Sequence, residues 1–268
     1  VAMESNTTGT ENVAVGAEAL DASTTANQVT AVGFQALTAN TTGIRNTAFG
    51  RKALLTVTTG QQNVAVGSAA LFNATGDNNT AVGHDAMVAL TTGVNNLAVG
   101  SQAGSAMTEG NNNVALGKQA NTTTTTGSNI ICIGNVAEPT SATAANQITL
   151  GNSSIQTLRC QVQTISALSD ERDKTDIVDS EDGLDLINLL KVRKFTWSMR
   201  EPSDNDGKTE LGFVAQELDE VLGTKNDYIH AVLKDNPNKL EAAYGRFIPI
   251  MVKAIQELSA EVTALKAA

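Results

Sequence analysis

"TTGQQNVAVGSAAL", residues 58–71, decides the fold. Val64 and Val66 alternate around Ala65, and no i, i+3, i+4 stripe runs through the segment, so its period is two and it reads as strand. The phrase recurs. The motif Asn-x-Ala-(apolar)-Gly ends at Gly16, Gly50, Gly67, Gly83, Gly100 and Gly117, with looser versions ending at Gly33, Gly134 and Gly151. Successive spacings are 17, 17, 17, 16, 17, 17, 17 and 17. A second glycine keeps step (Gly9, Gly43, Gly60, Gly76, Gly93, Gly110, Gly127, with Ala26 in the gap), and so does an alanine (Ala19, Ala36, Ala53, Ala70, Ala86, Ala103, Ala120). Three markers in phase over nine units define a repeat.

A unit of this length predicts two short strands and two turns, too little to bury its own apolar face. Stacking on identical neighbours buries it, which gives a parallel β-solenoid of 17-residue coils. Glycine at the strand end supplies the corner's backbone angle, and the small alanine keeps the core thin. Asn12, Asn46, Asn63, Asn79, Asn96 and Asn113 are expected to stack as a ladder, each amide bonding the next coil's backbone. At ~4.8 Å per coil, nine coils extend about 40 Å. The 16-residue unit loses its residue between Leu71 and Gly76, in a loop, where stacking is undisturbed.

The phrase "NVAVGSAAL" (63–71) resembles the head repeats of trimeric autotransporter adhesins, whose units are usually a few residues shorter; the resemblance implies a parallel β-roll in trimers. Catalysis within residues 1–155 is not expected: the segment has three Phe, no Trp or Tyr, one His and no clustered carboxylates. His84 reads as ordinary surface. The threonine pairs, including "NTTTTTGSN", fall beside the turn glycine and read as solvated turn, not as an ice-binding array.

Charge divides the chain. Residues 1–168 hold 5 Lys/Arg and 8 Asp/Glu, and residues 169–268 hold 13 and 20. Three segments follow: a β-solenoid over 1–155, a strand-rich neck over 156–168 ("QTLRCQVQTISAL"), and a charged domain over 169–268. The net charge of −10 disfavours nucleic acid or an anionic membrane as partner. No apolar run is long enough to span a bilayer, so no membrane insertion is expected. Cys132 and Cys160 are too few for a disulfide framework and fit a reducing compartment. No metal or cofactor is expected. "SDNDG", 203–207, has Phe213 where a calcium loop needs Glu and reads as a turn.

The charged domain opens on "SDERDKTDI", 169–177. A serine hydroxyl is a weak nucleophile at neutral pH and needs an adjacent base, and Lys174 or a carboxylate are the candidates in the segment. Lysine serves as a base only where its charged form is disfavoured, as on burial. A spacing of five suits neither one helix face nor one strand face, so a turn must join Ser169 to Lys174. The bland reading of the same residues is a helix N-cap. Farther on, "GFVAQELDEVL" places Phe213, Val214, Leu218 and Val221 at helical spacing, as core. Ile248, Met251, Ile255, Leu258, Val262 and Leu265 form a heptad seam behind Pro249, a coiled coil whose β-branched pattern alone would favour a dimer.

With "GLDLINLLKVRKFTW", "ELGFVAQELDEVL", "YIHAVL" and the seam, "SDERDKTDI" resembles the C-terminal intramolecular chaperone domain of phage tail fibres, tail spikes and endosialidases, over about 100 residues in order. The resemblance implies an α+β domain that trimerises, guides folding of the β-rich fibre before it, and cuts itself off between Leu168 and Ser169. Ser169 maps onto the nucleophile and Lys174 onto its base. The family often has Leu where Asp173 stands and Asn where Asp176 stands, which adds negative charge beside the pair. Asp170 and Arg172 are expected to pair across the folded domain. The implied protein is a homotrimeric, self-cleaving distal piece of a phage tail fibre, joined to an upstream fibre segment, assembled in the host cytoplasm and displayed on the virion. Its solenoid is expected to reach a host-surface receptor, a glycan, through the avidity of three copies. The competing class is a trimeric surface adhesin with a non-cleaving oligomerisation domain. A glycan-degrading spike is disfavoured by the absence of paired carboxylates among aromatics.

Overall fold

The computed structural model describes residues 1–155, 157–159, 161, 169–198, 207–236 and 238–268. The chain folds as two units, Val1–Ile155 and Gln156–Ala268. Most of the neck, Leu168 with it, and residues 203–206 of the "SDNDG" turn lie outside the described residues.

The first unit is a parallel β-solenoid. Its strands are β1 (Val13–Val15), β2 (Thr30–Val32), β3 (Thr47–Phe49), β4 (Val64–Val66), β5 (Thr80–Val82), β6 (Leu97–Val99), β7 (Val114–Leu116), β8 (Ile130–Ile133) and β9 (Gln147–Leu150). They pair in sequence order as one sheet. Register holds across the short coil, where Val64, Ala65 and Val66 face Thr80, Ala81 and Val82. The missing residue is therefore absorbed in the loop, as its position in the sequence predicts.

Each coil has one strand, not the expected two. The opposite side carries two left-handed residues two apart, such as Gln35 (φ 57) and Leu37 (φ 53), or Lys52 (φ 58) and Leu54 (φ 52). A residue in that region cannot continue a strand, and for a branched side chain it costs roughly 1–2 kcal/mol. The compensation is burial: Leu20, Leu37, Leu54, Leu71 and Met87 point into the core with no exposed surface, worth about 1.5–3 kcal/mol each. Their amides still join neighbouring coils, as in Leu37 N to Ala53 O at 3.0 Å.

The strand alternation is real, but its inward residue is alanine. Ala31, Ala48, Ala65, Ala81, Ala98 and Ala115 are fully buried, and Cys132 takes the same place in β8. The flanking valines face outward. Burial pushes the Cys132 thiol up to about 11, with the Glu138 charge adding to it, so this thiol is packing, not chemistry.

The asparagine ladder forms as expected. Asn79 Nδ2 donates to Gly93 O at 2.8 Å, and Asn79 Oδ1 accepts from Asn96 N at 3.1 Å. Both ends are buried, so Asn79→Ala orphans a backbone carbonyl and a backbone amide, each costing about 1–3 kcal/mol. Asn79→Ala is expected to destabilise the solenoid by ~3 kcal/mol, read as a lowered thermal midpoint. The turn threonines form a second ladder: Thr41 Oγ1 donates to Thr58 O at 3.1 Å and Thr91 Oγ1 to Thr108 O at 2.9 Å. Their hydroxyls bind the next coil, and His84 is an exposed residue at 3.1 Å from Asp85.

The second unit contains a 3-10 turn (Glu171–Asp173), α1 (Leu184–Leu189), a β10 (Arg193–Thr196) and β11 (Thr209–Gly212) hairpin, α2 (Ala215–Leu222), α3 (Asn226–Ile229), a small β12 (Val232–Leu233) and β13 (Glu241–Ala242) pair, and α4 (Ile248–Ala267). Leu186, Leu218, Leu222, Ile229, Val232, Phe247 and Ile250 make its core. The apolar spacing in "GFVAQELDEVL" does make a core helix, with Leu222 in place of Val214, which sits exposed at the helix start. Pro249 stands in the first turn of α4, where its missing N–H costs nothing.

Helix α4 carries two different faces. Ile250 and Ala254 are buried, and Glu257 Oε2 accepts from Leu184 N at 2.7 Å, capping the start of α1. Gly183 leaves room for that carboxylate, since a Cβ there would lie 2.6 Å from Glu257 Cδ. The heptad seam lies elsewhere and is open: Ile255 is 66% exposed and Leu265 77%.

Candidate functional site

Ser169 precedes the 3-10 turn, and Lys174 closes it. Asp170 is the N-cap residue, its side chain accepting from Arg172 N at 2.9 Å. Asp173 N donates to Asp170 O at 3.2 Å and Lys174 N to Glu171 O at 3.1 Å. One tight turn of this kind reverses the chain within the five-residue separation, and the two side chains meet: Lys174 Nζ donates to Ser169 Oγ at 2.7 Å and to Ser169 O at 3.3 Å. The cap of Asp170 builds the turn that joins Ser169 to Lys174, so the expected N-cap and the contact between the two side chains are parts of one turn.

Asp170 and Arg172 do not pair across the domain. They pair with each other, Arg172 Nε to Asp170 Oδ1 at 2.9 Å and Nη2 to Oδ2 at 2.6 Å. The reason is distance along the chain: the cap already places the carboxylate beside residue 172, so the guanidinium forks onto it locally. Hydrogen bonds from Arg172 hold the Asp170 carboxyl below its usual range. Asp176 has φ 52, a conformation that Asp and Asn tolerate better than most residues, which gives a backbone reason for either type there. Ser169 and Lys174 are both exposed in the single chain.

Proton transfer between Oγ and Nζ is geometrically direct at 2.7 Å. The same line serves an ammonium donating to the hydroxyl and, once the amine is neutral, a hydroxyl donating to the amine. Leu168, whose carbonyl precedes Ser169 in the chain, lies outside the described residues.

Sequence reasoning missed a second polar cluster. Asp182, 8% exposed, accepts from Lys225 Nζ and from Tyr228 OH, the latter at 2.7 Å. The Lys225 contact depresses the Asp182 carboxyl against the opposing effect of burial. These residues are more than 40 positions apart in sequence, and no periodicity links them. Arg193 and Glu217 pair at 2.6 and 2.9 Å in the same way. Both tie elements of the second unit together. Among the described residues, no group of three His, Cys, Asp or Glu converges as a metal site, and no helix is long and apolar enough to cross a membrane.

No curated protein and no solved structure matches the chain. A family model described as the chaperone of endosialidase matches residues 169–226. The match begins on Ser169, takes in the whole turn with Lys174, and stops at Asn226. It supports an intramolecular chaperone with autoproteolytic, peptidase-type activity at the C-terminal side of a fibre-like β-solenoid.

Proposed function

We propose that this chain is the distal part of a phage tail fibre, homotrimeric, whose residues 169–268 drive assembly and then cut the chain before Ser169. The 2.7 Å contact between Ser169 Oγ and Lys174 Nζ carries the reading. Neutral Lys174 takes the hydroxyl proton as Oγ attacks the Leu168 carbonyl carbon. The tetrahedral intermediate collapses by breaking the Leu168–Ser169 C–N bond, and the departing Ser169 nitrogen receives that proton from Lys174. Leu168 is left as an ester on Oγ. Water, deprotonated by the same amine, hydrolyses the ester, releasing a Leu168 carboxylate and restoring the serine hydroxyl.

Timing comes from exposure. The pair is open to solvent in the single chain, and docking of partner chains would exclude water from it, the condition under which a lysine can serve as a base. Cutting thereby reports assembly. The open seam of α4 supports further copies as the docking partners, since an apolar heptad face on a helix finds burial against its own kind. After cutting, the solenoid serves the virion as a shaft or tip that contacts a host-surface glycan by avidity.

The experiment is intact-mass analysis of the freshly assembled chain beside a denaturing gel. Two pieces are expected, residues 1–168 and 169–268, the second with Ser169 at its N-terminus. An intact polypeptide after prolonged incubation of assembled material rejects the cutting and leaves the adhesin with a permanent oligomerisation domain.

A further inference from the structure

Positive charge and aromatic rings are gathered in one part of the solenoid. Residues 22–76 contain no Asp or Glu, in a chain of net charge −10. The same stretch holds Arg45, Arg51 and Lys52, three of the five Lys/Arg residues before Ser169, and Phe34, Phe49 and Phe72, every phenylalanine of residues 1–155. Among the described residues, none of these cations stands in an ion pair. Arg45 Nε donates to Gln28 Oε1 at 3.2 Å, an uncharged partner.

Coil register brings these residues to one corner. Val32 of β2 pairs with Phe49 of β3, and the register continues past the strand end, where Lys52 N donates to Phe34 O at 2.8 Å and Ala69 N to Arg51 O at 2.9 Å. Phe34 and Arg51 therefore share a column, one coil apart at ~4.8 Å, with Phe49 two residues before Arg51. Phe34 is 42% exposed and Phe49 56%, so neither ring serves the core. Lys52 Nζ lies 6.0 Å from the centre of the Phe72 ring, at the reach of a cation–π contact. Glu18 and Asp85 stand two coils away in the Lys52 column, and Glu18 Oε2 already accepts from Gln35 Nε2 at 2.7 Å.

We infer that this corner is a binding site for an acidic glycan, one whose sugars carry carboxylates; the inference rests on the host-surface reading proposed above and narrows it to a place and a ligand class. A pyranose presents one face of C–H groups, which packs on the negative π-face of an aromatic ring. Phe34 and Phe49 offer two such rings at the surface. A sugar carboxylate meets the Arg51 guanidinium as a two-point fork, one coil from Phe34, and Lys52 adds charge at the next residue. Other occupants fit less well. A second copy of this corner brings the same cations with it and is repelled. Nucleic acid needs more neutralised phosphates than three cations provide against the field of an acidic chain.

The test is retention of the full chain on immobilised polygalacturonate, dextran and oligothymidylate at low salt, with intact mass and thermal midpoint read on the same samples. Retention on polygalacturonate alone is expected, falling as salt screens the contact. Arg51→Ala is expected to weaken it about 10-fold, the effect of one charge-assisted hydrogen bond, and Phe34→Ala about 5-fold. Arg51→Glu is expected to abolish it at an unchanged midpoint, which keeps the test intact should Phe34→Ala lower stability. Lys118→Ala, which removes a cation from the same column four coils on, is expected to change nothing. Equal weakening by Lys118→Ala overturns the site, as general attraction between charges. Weakening by Arg51→Ala with none by Phe34→Ala overturns the sugar and leaves an anion site, and equal retention on oligothymidylate does the same. Binding of dextran that ignores Arg51→Ala overturns the acidic class and leaves the glycan reading standing. No retention on any matrix overturns the inference, while the masses still report self-cutting independently.

Discussion

Ser169→Ala and Lys174→Ala are each expected to leave the 268-residue chain whole under conditions in which the parent chain yields residues 1–168 and 169–268. The first change deletes the hydroxyl that the proposed mechanism uses as nucleophile. The second deletes the base 2.7 Å away; a positioned general base contributes about 10²–10⁴-fold in rate, enough to turn cutting within minutes into cutting over days. Lys174→Arg separates the base from the charge. Arginine keeps a cation and a donor but stays protonated in proteins, so it is expected to preserve assembly and abolish cutting. Intact-mass measurement at matched times reads all three. Cutting by Lys174→Arg at the parental rate would show that the cation, not a free amine, is what the serine needs.

Gly83→Ala is expected to break the stack. Gly83 has φ +140, and a Cβ there would fall on the Gly100 carbonyl, 2.6 Å from its carbon. The obstacle is backbone, so no side-chain rotation relieves it. Disallowed dihedrals cost about 1–3 kcal/mol and forced overpacking a similar amount, against a typical total stability of 5–15 kcal/mol. A loss of ~4 kcal/mol is therefore expected, visible as a thermal transition that moves down and splits, because each coil is held by its neighbours alone. Gly245→Ala is the control: nothing lies within 4 Å of a Cβ at that position, and its transition should stay in place.

Most of the repeat architecture was legible because stacking forces every coil to present the same residue at the same place. Asn63, Asn79 and Asn96 must recur if each is to bond the next coil, and Gly67, Gly83 and Gly100 must recur because each blocks a Cβ on its neighbour. That Ser169 and Lys174 meet was legible for a local reason as well. A separation of five that fits no regular element demands a turn, and Asp170 supplies its cap. The α4 seam could be read from its spacing of three and four, which is a property of one helix.

Sidedness was not legible in the same way. The alternation of Val64, Ala65 and Val66 fixes that neighbours face opposite directions, but which of them faces in depends on the room between the two sides of a coil. Leu54 and Leu71 already fill that room from the left-handed side, so only alanine fits from the strand, and the valines are turned out. The left-handed leucines themselves were hidden, since their intrinsic preference opposes the conformation that tertiary burial rewards. The local fork of Arg172 onto Asp170 and the Asp182, Lys225 and Tyr228 cluster depend likewise on where folded backbone brings polar groups. Sequence alone determined what repeats, where charge begins and that a turn is needed to join Ser169 to Lys174. Tertiary structure decided which face is dry and which is left open, because those depend on the space between elements and not on the order of residues within them.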